Sequence, residues 1–284
     1  MASQFQSFDR RTVLKTSALA FLGLAVPNLT FSNTKTVKNT SADVPRHFPN
    51  IDPEIINEVV GKSHADLDRV KALVDARPEL SRSVWEWRFG DFESAIGAAS
   101  HVGRRDIASY LISKGVRPTI YTFAMFGNYE TVKSMIEFFP GIQQNSGPHG
   151  ISLLAHAYAG ERMKDDMSTK EKDNLKRTIE YLENLGDANG ENYIDVSPEE
   201  QQKYLGDYKY GSGDYEGFTV GINMRKFLSL APLGGFGGAL YKTADNKFIY
   251  NGAPSVEISF NIENENVKSL KLNEPGLEII AIKQ

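Results

Sequence analysis

Three of the five histidines, His101, His149 and His156, fall in a run of short helical patterns, and His101 and His156 sit in related places beside Gly103 and Gly160. Imidazoles on neighbouring helix pairs can converge on a transition metal. No obvious carboxylate completes the set, so the expectation is that these rings hydrogen-bond backbone carbonyls near turns, with no metal and no cofactor. Ser32-Asn33-Thr34-Lys35 is a Ser-x-x-Lys pair, in a segment too polar to build the base and oxyanion hole that a serine nucleophile needs. Gly-x-Ser-x-Gly and His-Glu-x-x-His do not occur. The chain has no cysteine, which removes thiolate nucleophiles, thiolate metal sites and disulfides. Gly234-Gly235-Phe236-Gly237-Gly238 lacks the following lysine of a phosphate loop and reads as a hairpin. These observations predict a protein that is not an enzyme.

Recognition of a partner is the remaining chemistry. Trp85-Glu86-Trp87 contains both tryptophans, and in an extended segment the two rings share one side and Glu86 takes the other. Buried aromatic anchors of this type dominate interfaces. Arg104 and Arg105 follow Gly103 and offer forks for carboxylates, and Tyr121 stands on a short helical pattern. The candidate partner-binding set is Trp85, Trp87, His101, Arg104, Arg105, Tyr121, His149 and His156. A net charge of −4 and a pI near 5.8 give no basic footprint for nucleic acid.

The elements that must position these residues are helical first and β later. Ser94 to Gly115 reads as helix, glycine turn, helix and glycine stop, with Ser94 at a cap, Ala99 at a packing position and Gly103 at the turn. This resembles one ankyrin repeat. Similar pairs are predicted around Ile55 to Asp75 with Ala65 in the turn, from Ile120 to Ile136 around Gly127, and from Gly147 to Leu185 with Gly160 33 residues after Gly127 and a charged insertion from Glu161 to Asp173. From Tyr204 the period changes to alternation broken by Gly, Asn and Asp. Strands are expected at 206–210, 218–222, 226–230, 239–242, 248–251, 256–260, 267–272 and 277–282. This part, opening on Glu200 to Tyr208, resembles the lipocalin-like domains appended to bacterial serine hydrolases of the β-lactamase type. The predicted fold class is multidomain α + β: an α-helical ankyrin solenoid at 51–195, then a small antiparallel β barrel or sandwich at 198–284.

Asp9-Arg10-Arg11-Thr12-Val13-Leu14-Lys15 precedes a short apolar run ending at Pro27, too short to span a bilayer. It resembles a bacterial twin-arginine export signal, which implies a signal at 1–32, a flexible tether at 33–50, and a periplasmic or secreted mature chain without a transmembrane anchor. The functional expectation is protein–protein interaction in the cell envelope through the repeat surface, with another envelope protein as partner. The alternative is a carrier or sensor of a small apolar ligand held in the β domain.

Overall fold

Most of the helices start at a side chain that replaces a missing backbone acceptor. In the computed structural model, which describes residues 44–190 and 193–284, Asp52 accepts from Glu54 N–H to open α1 (Pro53–Lys62), and Asp66 accepts from Arg69 N–H to open α2 (Leu67–Ala76). Ser94 opens α3 (Ala95–His101), which turns into α4 (Arg105–Ser113). Thr119 and Thr122 form a capping box at α5 (Ile120–Phe126), and Asn128 caps α6 (Tyr129–Phe138). Ser152 opens α7 (Leu153–Ala159), and a Ser168–Glu171 capping box opens α8 (Thr169–Leu185). These oxygens satisfy first-turn amides that would otherwise be orphaned. The expectations for an export signal at 1–32 and for most of the tether lie outside the described residues.

The helices lie in two rows. α1, α3, α5 and α7 neighbour one another in order, with α2, α4, α6 and α8 outside them. Two apolar clusters hold the rows together, one around Val59, Val74, Ile107 and Leu111, the other around Val132, Leu153, Leu175 and Leu182. A two-stranded hairpin, β1 (Val84–Glu86) and β2 (Phe92–Ser94), is inserted between the first and second pairs.

The expected ankyrin solenoid is not what these helices form. Gly103 and Gly127 turn with left-handed φ of 74° and 69°, but Gly160 is right-handed at −59° and runs into a 3-10 stretch, Gly160–Asp166. Gly103 and Gly127 are 24 residues apart, so the 33-residue step from Gly127 to Gly160 does not recur. Among the described residues helix lengths run from 7 to 17 residues, and only one junction carries a hairpin. The pairs are thus not copies of one unit. Nor do they stand apart from the β part, because Pro49–Gln284 forms one compact unit.

The β part is a closed eight-stranded antiparallel barrel in which each strand pairs with its sequence neighbours. Its strands are β3 (Gly206–Lys209), β4 (Gly217–Ile222), β5 (Leu228–Pro232), β6 (Gly238–Ala244), β7 (Lys247–Tyr250), β8 (Ala253–Glu263), β9 (Asn266–Glu274) and β10 (Leu277–Lys283), with β10 closing onto β3 through Ile282↔Lys209 and Lys283↔Tyr208. Along β8, Val256, Ile258 and Phe260 point in while Ser255 and Glu257 face water, the alternation a barrel wall requires. Tyr204, at the end of α9 (Pro198–Tyr204), joins Tyr208, Phe248 and Phe260 in filling the interior.

Turn geometry yields a first prediction. A Cβ on Gly103 would meet the carbonyl of Ala159, whereas one on Gly115, also at positive φ (+87°), meets nothing within 4 Å. Gly115→Ala is expected to cost about 1 kcal/mol in a urea titration, the conformational penalty alone, and Gly103→Ala at least about 3 kcal/mol because backbone must move as well.

Candidate metal centre

Where the hairpin meets the helices, a carboxylate is completely buried. Trp85 pairs opposite Glu93, and the Trp87 N–H donates to the Asp91 carbonyl at 3.0 Å. Cross-strand partners and alternate residues share a face. Trp85 and Trp87 accordingly pack on the helical core, Asp91 and Glu93 are buried beside them at 4% and 0% exposure, and Phe92 between them is exposed.

Three histidines close on Glu93 from three separate turns. His64 follows α1, His101 ends α3, and His149 lies in the 3-10 turn Pro148–Gly150. His64 Nε2 is 3.4 Å from Glu93 Oε2, His101 Nδ1 is 2.9 Å from Oε1, and His149 Nε2 is 3.2 Å from Oε1. One donor atom from each of the four residues lies within 4.8 Å of all the others.

The outer nitrogens decide which lone pairs face inward. His64 Nδ1 lies 3.0 Å from the Gly61 carbonyl, which only accepts, so Nδ1 carries the proton and Nε2 is bare in the neutral ring. His149 Nδ1 lies 2.7 Å from Asp91 Oδ2, with the same consequence. His101 Nδ1 and Glu93 Oε1 approach closely, yet both are buried without a hydrogen-bond partner of acceptable direction. Where the His64 and His149 rings are neutral, their lone pairs face a buried carboxylate and repel it unless a cation or a proton stands among them. Ligands about 2.1 Å from one ion are about 3.0 Å apart at a right angle and about 3.4 Å apart at the tetrahedral angle, the range of the three imidazole-to-Glu93 separations, two of them to Oε1 and one to Oε2.

A second layer fixes these ligands. Asp91 accepts the His149 backbone N–H at 3.0 Å on Oδ1 and Asn251 Nδ2 at 2.8 Å on Oδ2. His149 therefore adopts a left-handed φ of 60°, a conformation that a non-glycine residue keeps only when its surroundings hold it. Carboxylate, imidazole and metal in this order are the usual way a ligand ring is oriented. Trp87 Nε1 donates to Glu93 Oε2 at 2.8 Å. Gly252 packs so closely that a Cβ there would come within 2.7 Å of Asp91 Oδ1. Asn251 and Gly252 belong to the barrel turn between β7 and β8, so the barrel itself steadies the centre.

Protonation follows from the same contacts. Burial disfavours charge on Glu93, but the imidazoles of His101 and His149 hold its carboxyl below the usual carboxylate range. Burial likewise opposes a charged His149, and the hydrogen bond to Asp91 together with the nearby charge of Glu93 outweighs it, raising the ring to about 9. Burial lowers His101 against the pull of Glu93. In the metal-free chain a proton on His149 thus takes part of the role a cation would fill.

His101 and His149 also line a cavity of about 430 Å³ between the helices and the barrel rim, with Val102, Ile151 and Ala155 on one side and Asn223, Arg225 and Ala239 on the other. The ligand set is therefore reachable rather than sealed.

The residues expected to meet a partner fall into two groups. His101 and His149 are metal-ligand candidates. Trp85 and Trp87 are half-buried against the chain's own helices. Arg104 forks onto Asp106, with Nε at 2.8 Å and Nη2 at 2.6 Å, and reaches the Ala65 carbonyl. Arg105 is buried, donating to the Met125 carbonyl at 3.0 Å and pairing with Glu171 at 3.2 Å. His156 is fully buried, its Nδ1 at 2.8 Å from the Ser152 carbonyl and its Nε2 without a partner. The Tyr121 ring packs on it, centroids 4.8 Å apart. His64, Glu93 and Asp91 escape sequence reasoning. The signal that points to them is Asp91-Phe92-Glu93 in an alternating strand beside Trp85 and Trp87, which puts two carboxyls on the buried face.

Comparison with family models, with curated proteins and with solved structures finds no match for this chain, an ankyrin model included.

Two predictions follow from the site. Asp91→Asn keeps the shape but weakens the anchor on His149, and is expected to lower divalent-metal affinity about 10- to 100-fold in a chelator competition, with the circular dichroism spectrum unchanged. His156 is held neutral by burial, its pKa lowered to about 4 from 6.5. The unfolded chain therefore binds the extra proton between these values, so the contribution is complete above pH 6.5 and is lost as pH falls to 4. Metal-free wild type should lose about 3 kcal/mol over that window relative to His156→Asn, read from urea midpoints at each pH.

Proposed function

We propose that this protein binds one divalent transition-metal ion through His64, Glu93, His101 and His149 and uses it on a small molecule admitted to the adjoining cavity. The observation that carries the reading is the convergence of three imidazole nitrogens on a fully buried carboxylate, with Asp91 behind one ring and Trp87 on the carboxylate. Three imidazoles and one carboxylate suit zinc, iron, manganese, cobalt or nickel, and a set without thiolate does not favour softer ions. An ion held by four protein ligands can meet a substrate only by taking a further ligand, and His101 and His149 face the cavity, the side from which that ligand would enter. When bound, the ion supplies Lewis acidity or redox chemistry. The chain's own residues orient the ligand rings, keep Glu93 ionised and provide an apolar chamber beside them.

The adaptor reading draws less support, because Trp85, Trp87, Arg104 and Arg105 all spend their contacts inside the chain. A ligand-carrier reading is better served by the cavity at the barrel rim than by the barrel interior, which its own aromatic rings fill.

Untagged, metal-stripped protein should take up one ion per chain from a panel of Zn2+, Mn2+, Fe2+, Co2+ and Ni2+, measured by elemental analysis after dialysis. Binding should also change Trp87 fluorescence, since its indole donates to a ligand carboxylate. Uptake no higher than that of His101→Ala/His149→Ala protein contradicts the reading.

A further inference from the structure

The cavity beside the centre has an uneven charge. Apart from the two histidines, its lining contains one charged side chain, Arg225, and no carboxylate. Arg225 sits in the turn between β4 and β5. Its guanidinium lies 4.9 Å from the Phe227 ring centroid, and its Nη1 is 3.4 Å from the Tyr241 hydroxyl. Among the described residues it makes no ion pair, unlike Arg69, Arg104, Arg105 and Arg177, each of which meets a carboxylate. Tyr241 in turn donates to the His149 carbonyl at 3.2 Å, so the Arg225 side of the cavity is tied to a ligand-bearing turn.

A guanidinium at one end and no acid among the lining residues give the chamber a positive potential, which draws anions and to which an ion at the far end would add. Arg225 is exposed at the mouth of the cavity, where its guanidinium lies over an aromatic face and offers the planar fork that suits a carboxylate held by two hydrogen bonds. Between the two ends the walls are Val102, Ile151, Ala155 and Ala239, with Asn223 and Asn251 as amides. Apolar walls with a few placed polar groups select an apolar body carrying a single charged head.

We propose that the cavity binds a small organic carboxylate, with its carboxyl group on Arg225 and its apolar body extending toward His101 and His149. This rests on the metal reading for what the far end of the ligand meets, but not for the recognition of the carboxyl group. Arg225 is accordingly a specificity-determining residue.

The test is isothermal titration of the Zn2+-loaded chain with three probes: 3-phenylpropionate, its neutral amide 3-phenylpropionamide, and phenyl phosphate. The acid should bind at least about tenfold more tightly than the amide. Arg225→Gln should abolish that preference while zinc content by elemental analysis stays at the wild-type level. Equal binding of acid and amide, or an acid preference that survives Arg225→Gln with zinc retained, overturns the inference and leaves the metal reading standing. Tighter binding of phenyl phosphate than of the acid overturns the carboxylate assignment. If the chain takes up no zinc, the metal reading fails, and the same titrations on metal-free wild type and Arg225→Gln still decide whether Arg225 selects the acid.

Discussion

A buried ionised carboxylate is expensive unless positive charge or hydrogen bonds meet it from every side. Glu93 sets that constraint here. One oxygen receives the Trp87 indole N–H, and the two oxygens together face three imidazoles. The hairpin that carries Glu93, the ends of α1 and α3, and the turn around His149 must all be placed to about an ångström for this to hold. The helical rows supply that placement, because a ring at the end of a packed helix moves only if the helix does. With a divalent ion among the donors the arrangement is attractive throughout; with a proton on His149 it is only partly so.

The barrel completes what the helices begin. Asn251 steadies Asp91, which orients His149; Tyr241 holds the carbonyl of the same turn; Arg88 on the hairpin loop donates to the Phe236 carbonyl at 2.8 Å. Phe89 from that loop stacks edge-on against Tyr250, centroids 4.9 Å apart. Contacts of this number explain why the two parts form one unit. They also explain the position of the cavity, which the loops of the barrel rim cover from one side and the helix ends from the other.

Much of the frame was legible in the sequence. Ser94 announces a helix start through its capping chemistry, and alternation after Tyr204 locates eight strands, each within a few residues of β3 to β10, whereas the start of α8 at Ser168 lies inside what reads as a charged insertion from Glu161 to Asp173. The repeat period was misleading because glycines end helices for different reasons: Gly103 and Gly127 adopt positive φ, while Gly160 is helical and is required by its closeness to the Met125 carbonyl. The centre was legible only in part. His101 and His149 attract notice as histidines near turns, but a carboxylate on the hairpin completes the set, and nothing in local spacing shows that a strand residue meets rings 8 and 56 positions later and one 29 positions earlier. Those distances along the chain are closed by tertiary packing, to which periodicity is blind.

X-ray absorption at the metal edge of the Co2+- or Zn2+-loaded chain tests the central claim most directly, because imidazole rings scatter in a way that water and carboxylate do not. Three imidazoles with oxygen completing the shell, all at about 2.0 to 2.2 Å, is the result expected of His64, His101, His149 and Glu93. A shell of oxygen alone, or one imidazole at most, would contradict it.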